Sequence, residues 1–228
     1  MPLTPEDINA IGLSVKVALT ATLISLPVGF AVAWVIVYKA FRGKVLLEVL
    51  VNLPLTLPPV VIGYLLLLLL GRNGFIGRAL AETGIPVIFT WKAAVIASSV
   101  VGFPLLVRSI RLGMESIEPG LIDASRSLGA SWPDTLFSIV LPLSSRGILA
   151  GSSLMFARSL GEFGATIIVA GNIPGITQTI PLAIYDYASS PSSTSMALSL
   201  CIVSIIISVA VLLLHEAIAG KLETGRGR

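Results

Sequence analysis

Few residues in this chain are placed to do chemistry. Arg158 and Glu162 stand four apart inside an apolar run, a spacing that puts both on one helical face. An ion at membrane depth is costly, so the pair must face protein or water. It is a candidate for a substrate pathway or, the reading favoured here, for a mutual neutralisation that holds helices in register, within one copy or across a dimer. Asn52 and Pro58, with Pro54 and Pro59, interrupt a second apolar stretch. They could free backbone groups to line a conduit, as broken helices do, or mark a proline kink repaired by its neighbours. His215 is the single histidine and Cys201 the single cysteine, which leaves no set of metal ligands and no disulfide framework. Ser144, Ser145, Ser152 and Ser153 have only His215 as a potential base, so a serine hydrolase is a weak reading. There is no Gly-rich loop ending in Gly-Lys-Ser/Thr, so no nucleotide site is expected here. No catalytic, cofactor or metal residue is assigned.

The polar stretch from Arg108 to Arg146 carries the remaining motif, Leu121-Ile-Asp-Ala-Ser-Arg-Ser-Leu-Gly-Ala-Ser-Trp-Pro-Asp-Thr-Leu-Phe-Ser-Ile-Val-Leu-Pro142. Asp123, Ala124 and Ser125 suit the start of a short helix with an acid near its positive end. Gly129 suits a stop or turn, and Pro133 the start of a second helix. Leu128, Trp132, Leu136, Phe137 and Ile139 have nothing in so small a loop to bury against, which points to a docking partner; the alternative is a helix lying on the membrane surface.

The elements that carry these residues follow from composition. Of the side chains, 55% are hydrophobic and 12% charged, about half the charged share of a soluble domain, which is about 25%. Mean hydropathy is +0.96, so apolar residues exceed what one core can hide and must also face lipid. A soluble enzyme is excluded by this balance. With 15 Lys+Arg against 12 Asp+Glu and 7% aromatics, a nucleic-acid partner is excluded too.

A helix start rather than a cleavable leader is expected at the first residues: Thr4 can cap, Pro5 fits the first turn and Asp7 can close a capping box. From Val17 to Tyr38 the chain is free of charge, long enough at about 1.5 Å per residue to cross about 30 Å of hydrocarbon, with a kink expected at Pro27. Further apolar runs follow after the basic turn Lys39–Lys44. The expected architecture is an all-α polytopic membrane protein forming a single transmembrane domain over 1–228. Its spans are placed at about 14–38, 45–70, 91–112, 146–170 and 195–216, with the second bent or locally unwound. Connections are expected over 71–90, over 113–145 between the third and fourth spans, and over 171–194, a loop rich in Pro and Ser.

Lys39, Arg42, Lys44, Arg108, Arg111, Arg126, Arg146, Lys221, Arg226 and Arg228 fall on one side of these five spans and are expected in the cytosol. The other side has only Lys16, Arg72, Arg78 and Lys92. This puts the N-terminus outside and the C-terminus in the cytosol.

Asp123-Ala124, Gly129, Ile139, Leu141 and Pro142 resemble the permease signature of bacterial ABC importers: Glu-Ala-Ala, a gap, Gly, nine residues, Ile, one residue, Leu-Pro. Here Asp123 replaces Glu and Ser125 replaces the second Ala. Leu53–Gly63, Gly71–Gly77, Arg158–Thr166 and Ala170–Pro181 further resemble the ModB-type molybdate permeases; sulfate permeases are similar in the same stretches, but 171–181 fits the molybdate branch better. The resemblance implies a type I ABC importer permease fold in the bacterial inner membrane. It also implies a homodimer, a cytosolic ModC-like ATPase dimer that binds ATP-Mg, and a periplasmic ModA-like molybdate-binding protein. Asp123, Ala124, Ser125, Gly129, Ile139, Leu141 and Pro142 would then form the lever that docks on the ATPase. An ion-coupled carrier is the competing reading, but among potential relay groups only Glu162 lies at membrane depth. An intramembrane enzyme is disfavoured by the isolated His215.

Overall fold

The computed structural model describes residues 3–82, 84, 86–190 and 193–224. Parts of two expected connections, 71–90 and 171–194, therefore lie outside the described residues, as do Arg226 and Arg228 of the basic tail.

The first helix, α1 (Pro5–Tyr38), begins as its capping box requires. Asp7 accepts the Thr4 N–H at 2.8 Å and Thr4 Oγ1 accepts the Asp7 N–H at 3.2 Å, an arrangement worth about 1 kcal/mol. The helix runs through Pro27 without a break. Next come α2 (Lys44–Thr56) and α3 (Pro59–Leu70), which meet at 115°. The sharp bend has a local cause. Leu57 and Pro58 each precede a proline and are held extended, with ψ of 143° and 135°, because a residue before proline is disfavoured in the helical region. The short α4 (Phe75–Glu82) leads to α5 (Trp91–Glu115), the central helix, which packs against α1, α2 and α3.

Between α5 and the next long helix lie α6 (Pro119–Ser127), α7 (Trp132–Thr135), a π-helical turn (Leu136–Val140) and α8 (Leu141–Leu143). Then come α9 (Ser145–Leu160), α10 (Gly164–Val169), α11 (Ile180–Ala188) and α12 (Thr194–Thr224). Among the described residues there is no strand. Three helices are long and apolar enough to cross a membrane: α1, α5 and α12 over Thr194–Ile218. Counting each of two bent pairs, α2 with α3 and Trp132–Leu143 with α9, as one span gives up to five.

Two features differ from the sequence expectation. The apolar run over 146–170 is not one helix, because the chain leaves helical geometry at Gly161–Phe163 and restarts at Gly164. The Pro- and Ser-rich stretch 171–194 is not all loop. It contains α11, started by Pro181 in its first turn and tied to α1 by the Ile180 N–H donating to Ser14 Oγ at 2.8 Å.

The main core gathers Ile36, Leu106, Ile110, Met114, Val140 and Met155. A second cluster, Ala10, Ala183 and Leu200, sits apart from it where α1, α11 and α12 meet. Contact of α5 with α9 is close because glycine removes the side chain where the backbones meet. A Cβ on Gly147 would lie 2.6 Å from the Ser109 carbonyl oxygen and 2.8 Å from Gly113 Cα, the small-residue approach seen between membrane helices.

Candidate functional site: the helical loop and the facing helix breaks

Expected as the first residue of its helix, Asp123 lies in the middle of α6. Pro119 begins that helix, because proline's missing N–H costs nothing in the first turn. The helix ends at Gly129, whose φ of +91° only glycine adopts cheaply. Around it the Ala130 N–H donates to the Ser125 carbonyl and the Gly129 N–H to the Arg126 carbonyl, both at 3.1 Å, which closes a Schellman motif. Ser131 then caps α7 in a reciprocal box with Asp134, accepting its N–H at 3.3 Å. Hydrogen bonding from the Ser131 hydroxyl, then from its backbone N–H, holds the Asp134 carboxyl below the usual range.

Ser125, where the permease signature has Ala, hydrogen-bonds the buried Thr135 hydroxyl at 3.1 Å and so ties α6 to α7. In the following turn the Leu141 N–H reaches back to the Leu136 carbonyl. This π-type bond directly precedes Pro142, which has no N–H to donate. Ser145 Oγ donates to the Pro142 carbonyl at 2.8 Å.

The apolar residues of the loop divide into two sets. Leu128 is 88% exposed and Phe137 67%, available to a partner as expected. Leu136 and Ile139 instead pack on the main core, with Val140 fully buried beside them. Trp132 is also placed against the bundle: its ring lies edge-on to Trp34 at 5.9 Å and against Tyr38 at 5.8 Å. Lys39 and Arg126 lie over the same ring at 5.7 and 5.8 Å. A cleft of about 420 Å³ opens there, lined by Tyr38, Met114, Glu115, Ile122, Asp123 and Trp132 among others. The sequence offered no signal for this joint, since its partners come from a helix far away in the chain.

In the apolar part of the bundle, Arg158 Nη1 lies 2.7 Å from Glu162 Oε2. The pair survives although Glu162 is just past the end of α9, so the two do not share a continuous helix. Glu162 is buried, with its side chain 1% exposed against 32% for Arg158. Its other oxygen accepts the Ala165 N–H at 2.8 Å at the restart of the chain into α10. The buried carboxylate is thus ion-paired with one guanidinium and hydrogen-bonded by one backbone N–H. The α2–α3 bend faces this break: a Cβ on Gly164 would lie 2.9 Å from Pro59 Cβ, and one on Gly63 2.8 Å from the Ala165 carbonyl oxygen. The two irregular backbones therefore meet.

Asn52 is not at that meeting point by its hydrogen bond; it is exposed and donates to the Glu48 carbonyl at 2.7 Å within α2. Pro58, also exposed, forms the corner of the bend. His215 accepts or donates a 3.0 Å hydrogen bond with Ser153, joining α12 to α9. No group of three or more His, Cys, Asp or Glu among the described residues could hold a metal ion.

A family model described as "Binding-protein-dependent transport system inner membrane component" matches residues 25–224. The chain belongs to this family. It is similar to the molybdenum transport system permease protein ModB of Haemophilus influenzae, 50% identical over 97% of both chains. The protein of the same description from Escherichia coli K12 is 49% identical over the whole of both. Among solved structures, a bacterial alginate ABC transporter crystallised with its alginate pentasaccharide-bound periplasmic protein is similar in fold. Its TM-score is 0.78 and its identity 17%, over 96% of this chain and 80% of that one. This family member is therefore a multi-pass inner-membrane transport permease and not an enzyme, and its general partners are a substrate-binding protein and a separate ATPase subunit.

Proposed function

We propose that this chain is the permease of an ATP-driven importer that takes molybdate, and the nearly isosteric tungstate, from a periplasmic ModA-like binding protein into the cytoplasm. The observation that supports this most is the near-complete overlap, at 49–50% identity, with two molybdenum permeases. Two copies of the chain form the conduit, with the N-terminus outside, and a ModC-like ATPase dimer supplies ATP-Mg hydrolysis.

The helical loop is the lever in this reading. Gly129 and Ser125 make α6 and α7 one rigid unit, Leu128 and Phe137 face the ATPase, and the turn over Ile139, Leu141 and Pro142 joins the unit to α9. Asp123 and Ala124 lie on α6 between these contacts. ATP binding closes the ATPase dimer, the lever moves as a body, and the bundle changes between two discrete packings.

Arg158 and Glu162, with the corner at Pro58 and with Asn52 on α2, are the candidates for the pathway or for an interface between the two copies. Half-neutralised by Glu162, the Arg158 guanidinium attracts a passing dianion without holding it tightly, so affinity resides in the binding protein. Replacing Arg158 by Met separates the two roles. Wild-type uptake by an assembled Arg158→Met complex ends the pathway assignment, whereas lost uptake with assembly and ATP hydrolysis intact supports it. For the whole reading, copurification with an ATPase subunit is the expected result, and uptake by this chain alone under an ion gradient is the opposing one.

A further inference from the structure

The lever is covalently continuous with α5 and α9, and Ile122, Leu136 and Ile139 pack on the main core, but its aromatic anchor lies on α1. No residue of α6 is buried, and Trp132 anchors α7 against α1, between Trp34, Tyr38 and Lys39. The Trp34 indole N–H is itself buried and finds no acceptor among the described residues, so ring packing rather than a hydrogen bond holds it there. At the opposite end of α1, two different bonds fasten α11. Ser14 Oγ accepts the Ile180 N–H at 2.8 Å, and Asp7 Oδ1 accepts the Tyr187 hydroxyl at 3.0 Å. These ties surround the small Ala10–Ala183–Leu200 cluster, which is separate from the main core. From Trp34 back to Ser14 the helix is unbroken, a distance of about 30 Å at 1.5 Å per residue.

We infer that α1 is the rod that carries lever movement to the outer face of the permease. Trp34 and Tyr38 are the positioning residues that key the lever to it, and Ser14 and Asp7 are those that key α11 to it. The inference rests on the ATP-driven reading above. A movement of the lever displaces the end of α1 through the Trp132 joint, and the same helix draws α11 with it. Two sites tied to one rigid element influence each other reciprocally, so loosening the outer ties must be felt as lost coupling at the lever.

The test uses the complete complex of permease, ATPase and binding protein in proteoliposomes, measuring molybdate uptake per ATP hydrolysed. Wild-type complex that takes up no molybdate with ATP would sink the functional reading; the rod is judged on the variants relative to a transporting wild type. Trp34→Ala should lower uptake per ATP about tenfold, while Trp34→Phe, which keeps a ring at the joint, should stay within about twofold. Tyr187→Phe combined with Ser14→Ala should lower it by a similar factor although both lie far from the ATPase. Adding Trp34→Ala to those two should make it no worse, because all act on one rod. Wild-type uptake per ATP in Trp34→Ala, or effects that multiply in the combined variant, overturns the inference. Should Trp34→Ala fail to assemble, Tyr187→Phe alone decides: a several-fold fall supports the rod and an unchanged ratio overturns it.

Discussion

Gly147→Ala places one methyl group where α5 and α9 touch backbone to backbone. The new Cβ would lie 2.6 Å from the Ser109 carbonyl oxygen, 2.8 Å from Gly113 Cα and 3.0 Å from Gly113 N. Ordinary contact between carbon atoms begins at about 3.5 Å, so the two helices must separate by most of an ångström. None of the three neighbours is a side chain that can rotate away. Overpacking of this kind costs about 1–3 kcal/mol, while the helix gains about 1 kcal/mol from exchanging Gly for Ala, which leaves a net loss of up to about 2 kcal/mol.

Gly12 in α1 is the matched control, because a Cβ there meets nothing within 4 Å and only the propensity gain of about 1 kcal/mol remains. Thermal unfolding of the detergent-purified chain reads both. At about 2–4 °C per kcal/mol for a chain of this size, Gly147→Ala should melt below wild type by up to about 8 °C and Gly12→Ala about 2–4 °C above it. A Gly147→Ala protein as stable as Gly12→Ala would refute the close-packed α5–α9 contact.

Other expectations follow from the same geometry. Arg158→Met leaves the buried Glu162 carboxylate with one donor; breaking a fully buried pair costs about 3–5 kcal/mol, and less here because Arg158 is partly exposed. The double variant Arg158→Met/Glu162→Gln should recover part of that loss in the same melting assay, and a double variant less stable than the single would contradict the assigned pairing. At Gly129, φ +91° makes any side chain strained by about 1–2 kcal/mol. Gly129→Asp should therefore insert and assemble yet fail to couple, and retained ATP-driven uptake counts against the lever. The depressed Asp134 carboxyl adds stability that is fully present above its unfolded value of about 3.9 and is lost as pH falls through the folded value. The difference in melting between wild type and Asp134→Asn should accordingly be flat from about pH 5 to 8 and shrink below about pH 4; a difference that grows on acidification is the wrong sign. A periplasm-specific reporter fused to the C-terminus should be silent, and an active one reverses the orientation.

Local signals in the sequence were sufficient for some of this structure. The capping box at Thr4, the bend at Pro58 and the turn at Gly129 each depend on a few adjacent residues whose backbone preferences are strong, and each stands where expected. The break at Gly161–Phe163 was hidden because it occurs within an apolar run and contains no proline. What fixes it is the buried Glu162 accepting the Ala165 N–H and the approach of Pro59, both invisible in a hydropathy pattern. Helix α11 was obscured by the prolines and serines around it, and its docking depends on Ser14 and Asp7 from the other end of the chain. Trp132 was expected to face a partner protein because nothing nearby could bury it. Its actual neighbours, Trp34 and Tyr38, are brought in by the packing of α1.

The most direct test of the central claim is uptake of labelled molybdate into proteoliposomes that hold this permease and its ATPase, with the binding protein outside and sulfate as competitor. Uptake that needs ATP and all three proteins, and persists in excess sulfate, is the predicted result. Uptake driven by an ion gradient without the ATPase, or abolished by sulfate, would contradict it.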